Sequence, residues 1–319
     1  MKDGNSQKRR GLHQIALAAL FTIGNTILRF PWANAEAGVT VSFLLSAAAA
    51  VGAVFAGYPL ARFLLRRPLH RKAWRVILAV GAAIAVGITA WFCAAQSTED
   101  ILRFMQDTLL PKGTSIAFVI LFLVSAVLLA RVSRRGLDLF SLIAFFSATL
   151  AVIVLFLQGI PQFRPAYGTL EIPSTGAILL SLKTLLPKTV LPMIPLVAYC
   201  SLSAPSPKGN RNARPLAVGV LAGFALMLLC VLQTLLTFGA PYAATLTYPY
   251  SRAVRVVSVG QYAFRPEILS YVLDYAASLI RTALCFACMR RLIGRFLPRL
   301  GRMIPIFAAI AVFVFLYLR

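Results

Sequence analysis

Three groups of residues in this sequence have the chemistry to hold a small charged molecule inside an apolar setting. The first is IGNTILRFPW, Ile23 to Trp32, where Gly24, Asn25 and Thr26 interrupt a long apolar run and Arg29 and Pro31 follow closely. A bilayer offers no water to a freed backbone N–H or C=O, so a break at that depth persists only where protein or a wet cavity satisfies it. The freed backbone groups of Gly24, the Asn25 amide and the Thr26 hydroxyl would suit a zwitterionic ligand. The N-terminus of the following half-helix would favour its carboxylate. Arg29 stands near a membrane boundary, where reaching toward the interface is its simpler role.

The second group is SLKTLLPKTVLPMIP, which sets Pro187, Pro192 and Pro195 beside Lys183 and Lys188. Proline removes a backbone donor and clashes with the preceding turn, so three in near-regular spacing predict a split or strongly kinked helix. Lys188, next to Pro187, would sit in the unwound turn and hold freed carbonyls of the first segment in place of a coupling cation. The plainer alternative sends both lysines to an interface. Thr184 and Thr189 complete this candidate set. The third group is Asp274, the one acid clearly inside an apolar segment, with Tyr275 and Ser278 beside it. A lone carboxylate in a span is a functional candidate: a partner for a ligand amine, a proton site, or half of an ion pair with Lys183, Lys188 or Arg29. Arg281 follows on the same helical face, about 10 Å along, too far for direct contact with Asp274. It reads as an anchor at the inner leaflet.

No catalytic constellation accompanies these groups. His13 and His70 lie at a segment boundary and beside Arg71 and Lys72, without ligand partners. No Ser/His/Asp set, phosphate loop or dinucleotide fingerprint is present, so the reading is a non-enzyme with no cofactor and no metal. Cys93, Cys200, Cys230, Cys285 and Cys288 all fall in apolar stretches and read as small packing residues, the Cys285–Cys288 pair included.

The elements that position these groups are membrane spans. In 319 residues, 60% are hydrophobic and 13% charged, with a mean hydropathy of +0.82; a soluble domain carries about 25% charged residues. Nine apolar segments approach the roughly 20 residues that a spanning helix needs. They are Leu12–Ala35, Val39–Leu65, Trp74–Gln96, Ser115–Arg131, Leu139–Leu157, Thr175–Leu202, Leu216–Phe238, Pro266–Ile293 and Met303–Leu318. The net charge of +23 comes from short clusters between the segments, a pattern of membrane orientation and not of nucleic-acid binding. With the N-terminus inside, 21 of the 32 lysines and arginines fall on inner connections and 8 on outer ones. Residues 1–11 then form a cytoplasmic tail, not a cleaved signal, and Arg319 ends outside.

Two outer connections are long enough to carry structure. Thr98 to Thr114 spaces Ile101, Phe104, Met105 and Leu109 helically before Pro111 and Gly113, predicting a short interfacial helix. Gly239 to Arg265, with Tyr248, Tyr250 and Tyr262 as anchors, predicts a helix lying on the membrane surface. The breaks fall in segments one and six, the first members of the two halves of a five-plus-five inverted repeat, which places broken helices against each other at midplane. One membrane domain follows, with 12–157 as first repeat and 175–318 as second.

At this point the chain resembles the B-subunit family of spore germination receptors (GerAB-type), a branch of the amino acid–polyamine–organocation transporter superfamily. The residues that carry the likeness are IGNTILRFPW, then LLPKGTSIAFVILFLVSAVLLARVSRRGLDLF from Leu109 to Phe140. The third stretch is TFGAPYAATLTYPYSRAVRVVSVGQYAFRPEILSYVLDY from Thr237 to Tyr275, with its GAP and YP pairs, Arg252-x-x-Arg255 and Arg265. The resemblance spans roughly Leu12 to Leu297. It implies an all-α polytopic bundle with a LeuT/APC-like inverted repeat, in the inner membrane of the spore. It also implies partnership with A-type and C-type receptor subunits and a small nutrient ligand, often an amino acid. The family has ten spanning helices where nine are counted here, so the tenth is expected to be missing from the second repeat. Three readings stay open: germinant sensor, proton-coupled transporter of an amino acid or amine, and scaffold without a ligand.

Overall fold

The computed structural model describes residues 2–24, 39–66, 73–108, 115–168, 175–203, 213–256 and 267–318. They form thirteen helices. The first five are α1 (Lys2–Ile23), α2 (Val39–Arg66), α3 (Ala73–Thr108), α4 (Ser115–Arg131) and α5 (Arg134–Gly159). After two 3-10 turns come α6 (Thr175–Val190), α7 (Met193–Ser203), α8 (Ala213–Phe238), α9 (Ala240–Thr245) and α10 (Pro249–Val256). The last three are α11 (Glu267–Phe296), α12 (Pro298–Gly301) and α13 (Ile304–Leu318). Among the described residues, six stretches are long and apolar enough to cross a membrane, the one from Ile178 to Ser203 embracing both α6 and α7. Gly11–Ile23, Ile116–Arg131 and Ile304–Leu318 are shorter apolar helices, so the nine segments read from hydropathy all correspond to helical units.

Among the described residues, α1 ends where the sequence places the first interruption, and the second break is sharper than the sequence alone predicts. α1 runs as one helix from the basic tail to Ile23 and ends at the Gly24 turn, whose N–H still donates to the Leu20 carbonyl at 2.9 Å. The rest of the IGNTILRFPW motif, with Asn25, Thr26, Arg29 and Pro31, lies outside the described residues. The second break falls at Leu191–Pro192, between α6 and α7, and not at Pro187. Pro187 is accommodated inside α6. Pro195 stands in the first turn of α7, where a missing N–H costs nothing because that donor has no intrahelical acceptor.

α1 and α8 pack most intimately. A Cβ on Gly219 would stand 2.4 Å from the Ile15 carbonyl oxygen, and one on Gly223 2.7 Å from that of Ala19. Small residues one turn apart let two backbones approach in a membrane, where dispersion and not hydrophobicity drives helix association. The pairings then obey the repeat. α1 lies on α8 as α6 and α7 lie on α2; α4 lies on α11 as α13 lies on α3; α3 and α11 pack on each other across the centre. α11 is the axis of the bundle, with 83% of its most apolar window buried against 28% for α3 and for α5.

One expectation for the connections gives way. Residues 98–108 are not a separate interfacial helix but the continuation of α3, since nothing before Pro111 breaks the helix and Ile101 and Phe104 are fully buried. Residues 239–256 form the α9–α10 hairpin, launched by Gly239 in a left-handed turn (φ +75°), and α10 buries Tyr250, Ser251 and Val254 against the bundle, with Arg252 and Arg255 exposed. The Tyr248 ring meets Phe104 edge-on at 5.1 Å, and its hydroxyl donates to Asp107 Oδ2 at 2.9 Å. Arg255 Nη2 donates to the Tyr271 hydroxyl at 2.8 Å.

Candidate functional site

The break in α1 is closed off by α11. Gly24 lies so tightly against that helix that a Cβ would stand 2.6 Å from the Ala277 carbonyl oxygen and 3.2 Å from the Ser278 nitrogen. Arg281, one turn further along α11, is 2% exposed and leans back toward this level. Its Nη1 donates to the Gly24 carbonyl oxygen, and its guanidinium carbon lies 5.3 Å from the centroid of the Phe21 ring. Cys93 of α3 lies beside it, so the cation sits where α1, α3 and α11 meet. The C-terminus of a helix carries about half a negative charge on its unpaired carbonyls, and a cation placed there is favourable.

Arg281 is therefore no leaflet anchor. It stands midway along the thirty residues of α11, out of reach of either end. It also takes the role that the sequence suggested for Lys188. Pro187, Lys188 and Lys183 are exposed on α6, turned away from the bundle. Thr184 lies in α6 as well. Thr189 is buried, but its hydroxyl donates back to the Leu185 carbonyl at 3.0 Å. The sequence places prolines and lysines in the right segment, but only packing fixes which way each face of α6 points.

Nη1 carries the hydrogen bond to Gly24, and the Cys93 thiol lies alongside the guanidinium. Nε and Nη2 are buried without a geometrically formed hydrogen bond among the described residues. These two donors form the side-on fork of a guanidinium, the geometry that a carboxylate matches with two parallel hydrogen bonds. One turn before Ala277–Ser278 on α11, Asp274 is 4% exposed, and its Oδ2 is likewise buried without a partner. Cys230 of α8 and Tyr250 of α10 border the carboxyl group. Burial holds the Tyr250 phenol protonated well above its ordinary range, with the Cys230 thiol beside its hydroxyl. Asp274, Ser278 and Arg281 thus form one buried polar stripe, with an unfilled acceptor at one end and an unfilled fork at the other.

Tyr275 does not join that stripe. One residue from Asp274, it is rotated about 100° around the helix and packs its ring between Phe118 and Phe122 of α4, at 6.0 and 5.5 Å. Sequence reasoning missed Tyr250, Cys230 and Phe21. The signal for Arg281 was present in its distance from both ends of the segment.

A second polar cluster ties the arginine-rich end of the bundle. Arg134 of α5 donates to the Ser203 carbonyl at the end of α7 and pairs with Asp138 at 3.6 Å. His13 Nδ1 of α1 lies 3.3 Å from the Asp138 carbonyl oxygen, and Arg291 of α11 stacks 4.3 Å over the Tyr199 ring of α7. Four spanning elements are cross-linked there. All five cysteines are buried and unbridged.

Paired broken helices within an inverted repeat define a LeuT-type membrane bundle. In agreement, the crystal structure of MhsT in complex with L-phenylalanine superposes with a TM-score of 0.59, covering 95% of this chain and 78% of that one, at 18% identity. Identity that low establishes the shared fold. No protein-family model and no curated protein matches the sequence.

Proposed function

We propose that this chain binds a small zwitterionic nutrient, an amino acid by preference, on the Asp274–Ser278–Arg281 stripe beside the α1 break, and that it acts as the sensing subunit of a spore germinant receptor. The observation that carries the binding reading is the buried, unfilled Nε/Nη2 fork of Arg281. A ligand carboxylate fills that fork, which leans back toward the level of Ser278, and Asp274, seven residues before Arg281, takes the ammonium group. The fixed guanidinium already neutralises the end of α1, so the ligand needs no accompanying metal cation. That independence favours a sensor, which must bind and shift between conformations without doing transport work. The sequence resemblance supports the receptor assignment, with A-type and C-type subunits as partners.

The test is binding of radiolabelled amino acids to the purified protein in sodium-free and sodium-containing buffer, expected to be equal. Arg281→Lys keeps the charge but loses the fork and should weaken binding about 10-fold or more, or roughly 1.4 kcal/mol. Unchanged affinity in that variant removes the carboxylate reading. Deleting the gene from its host tests the receptor role: spores that germinate normally on every nutrient exclude it. A second reading, a proton-coupled transporter, is favoured by the buried unfilled oxygen of Asp274. Accumulation of labelled ligand in proteoliposomes under a proton gradient would establish that reading instead. A scaffold without a ligand would show no thermal stabilisation by any nutrient.

A further inference from the structure

The short connection between α11 and α13 gathers positive charge and apolar surface on one rigid corner. Both helices are apolar, so in a membrane bundle the residues that join them emerge at a membrane surface. α12 does not trail between them as a loose loop. A Cβ on Gly301 would stand 2.5 Å from the Gly294 Cα, so the turn is folded hard against the end of α11. Its backbone is tied at each step. The Leu297 N–H donates to the Ile293 carbonyl at 2.7 Å, that of Gly301 to Leu297 at 2.9 Å, and that of Met303 to Leu300 at 2.9 Å. α4 reaches the same corner, where Arg131 Nη2 donates to the Arg302 carbonyl at 3.2 Å.

The side chains here have two chemistries. Arg131, Arg299 and Arg302 are exposed, and Arg290 stands within reach of the charges of Arg131 and Arg291. Among them Leu297, Leu300 and Met303 are 55%, 49% and 45% exposed. No carboxylate among the described residues forms an ion pair with these arginines, and Asp138, at the same end of the bundle, is taken by Arg134. A bias of arginine toward one side of a membrane accounts for the sum of the charge, not for its collection on one clamped turn. Like charges held this close repel, and an anion among them removes that cost. The exposed apolar side chains decide which anion. An acidic protein segment would match the guanidinium groups and leave those side chains uncovered. A phospholipid matches both, with phosphate oxygens on the arginine forks and acyl chains over Leu297, Leu300 and Met303. A zwitterionic headgroup brings its own cation, so a headgroup of net negative charge suits this corner better.

We propose that the α11–α12–α13 corner, together with Arg131 of α4, is a binding site for an anionic phospholipid, one whose phosphodiester carries no compensating ammonium. The bound lipid braces α4, α11 and α13 at the arginine-rich end of the bundle. This proposal does not depend on the ligand reading above.

Native mass spectrometry of the purified full chain tests it, with phosphatidylglycerol or phosphatidylcholine of the same acyl chains added and Tm measured in the same mixtures. Expected is retention of phosphatidylglycerol at concentrations about 10-fold below those needed for phosphatidylcholine, with a rise in Tm for the anionic lipid alone. Arg299→Gln combined with Arg302→Gln should abolish the preference, whereas Arg252→Gln, exposed on the hairpin, should keep it. Leu297→Ser combined with Leu300→Ser should weaken retention while leaving every charge in place. The Tm of each variant in phosphatidylcholine, expected to equal that of the parent, separates loss of the site from loss of the fold. Equal retention of both lipids overturns the proposal, as does a preference that survives the double arginine variant. A preference lost equally with Arg252→Gln overturns it too, because net charge and not this corner would then attract the lipid. Displacement of the lipid by inorganic phosphate, or retention unaffected by the leucine variant, would assign the corner to a bare anion and overturn the lipid reading.

Discussion

Two residues on facing helices explain how a break survives in the middle of this bundle. The Gly24 carbonyl stands at the described end of α1, and Arg281 reaches back along α11 to donate to it. Each is specific to its place. The Gly24 contact is with backbone, which cannot swing aside as a side chain does, so Gly24→Ala must separate α1 from α11. Overpacking of this kind costs about 1–3 kcal/mol. We expect a lowered Tm for purified Gly24→Ala protein, together with weakened ligand binding because Arg281 loses its fixed partner. A variant as stable as the parent would show that α1 yields easily at this point. Arg281 itself is a mixed contribution: a buried cation carries a desolvation cost that a single carbonyl offsets only in part. A group retained under that cost with two donors unfilled is consistent with a ligand completing its coordination.

The elements around the stripe differ in what holds them. α1 and α8 are locked by glycine-mediated backbone contact, whereas the α9–α10 hairpin is held over α3 and α11 by a few aromatic and polar contacts. The hairpin also contributes Tyr250 next to Asp274, so it is the element whose movement would open the stripe from that side. Tyr248→Phe keeps the edge-on ring contact with Phe104 and removes only the hydrogen bond to Asp107. A loss of about 0.5–1.5 kcal/mol is expected, confined to the hairpin. Hydrogen exchange of residues 240–256 should accelerate while α1 and α8 stay unchanged. Global acceleration would mean that the hairpin is integral to the bundle. The opposite end is tied by Arg134, Asp138, His13 and Arg291 across four elements, a cooperative seam with no equivalent among the described hairpin contacts.

For the molecule as a whole, charge distribution bears on orientation: the positive-inside rule would put the connections that collect arginine and lysine in the cytoplasm, an expectation that thiol labelling tests. The five native cysteines are buried, so introduced thiols report on their own. Val132→Cys, between α4 and α5, should resist a membrane-impermeant maleimide in intact cells. Thr245→Cys, in the hairpin connection, should be labelled. The reverse pattern would invert the topology and put the hairpin inside.

The sequence by itself determined the number and position of the spans, the location of the first break and the segment of the second. Those features follow from local causes: the length of apolar runs, one glycine–asparagine–threonine interruption, and prolines that cannot donate. The tertiary structure alone decided which charges face inward. Lys183 and Lys188 point away and Arg281 points in, because the azimuth of a helix is set by its neighbours and leaves no trace in a segment apolar on nearly every side. It likewise carried α3 through residues 98–108, where aromatic contacts between segments far apart in sequence outweigh the amphipathic pattern, and folded 239–256 into a hairpin. Asp274 was legible as a buried acid. Its pairing in one stripe with Arg281, across the end of α1, required three helices to be in place at once.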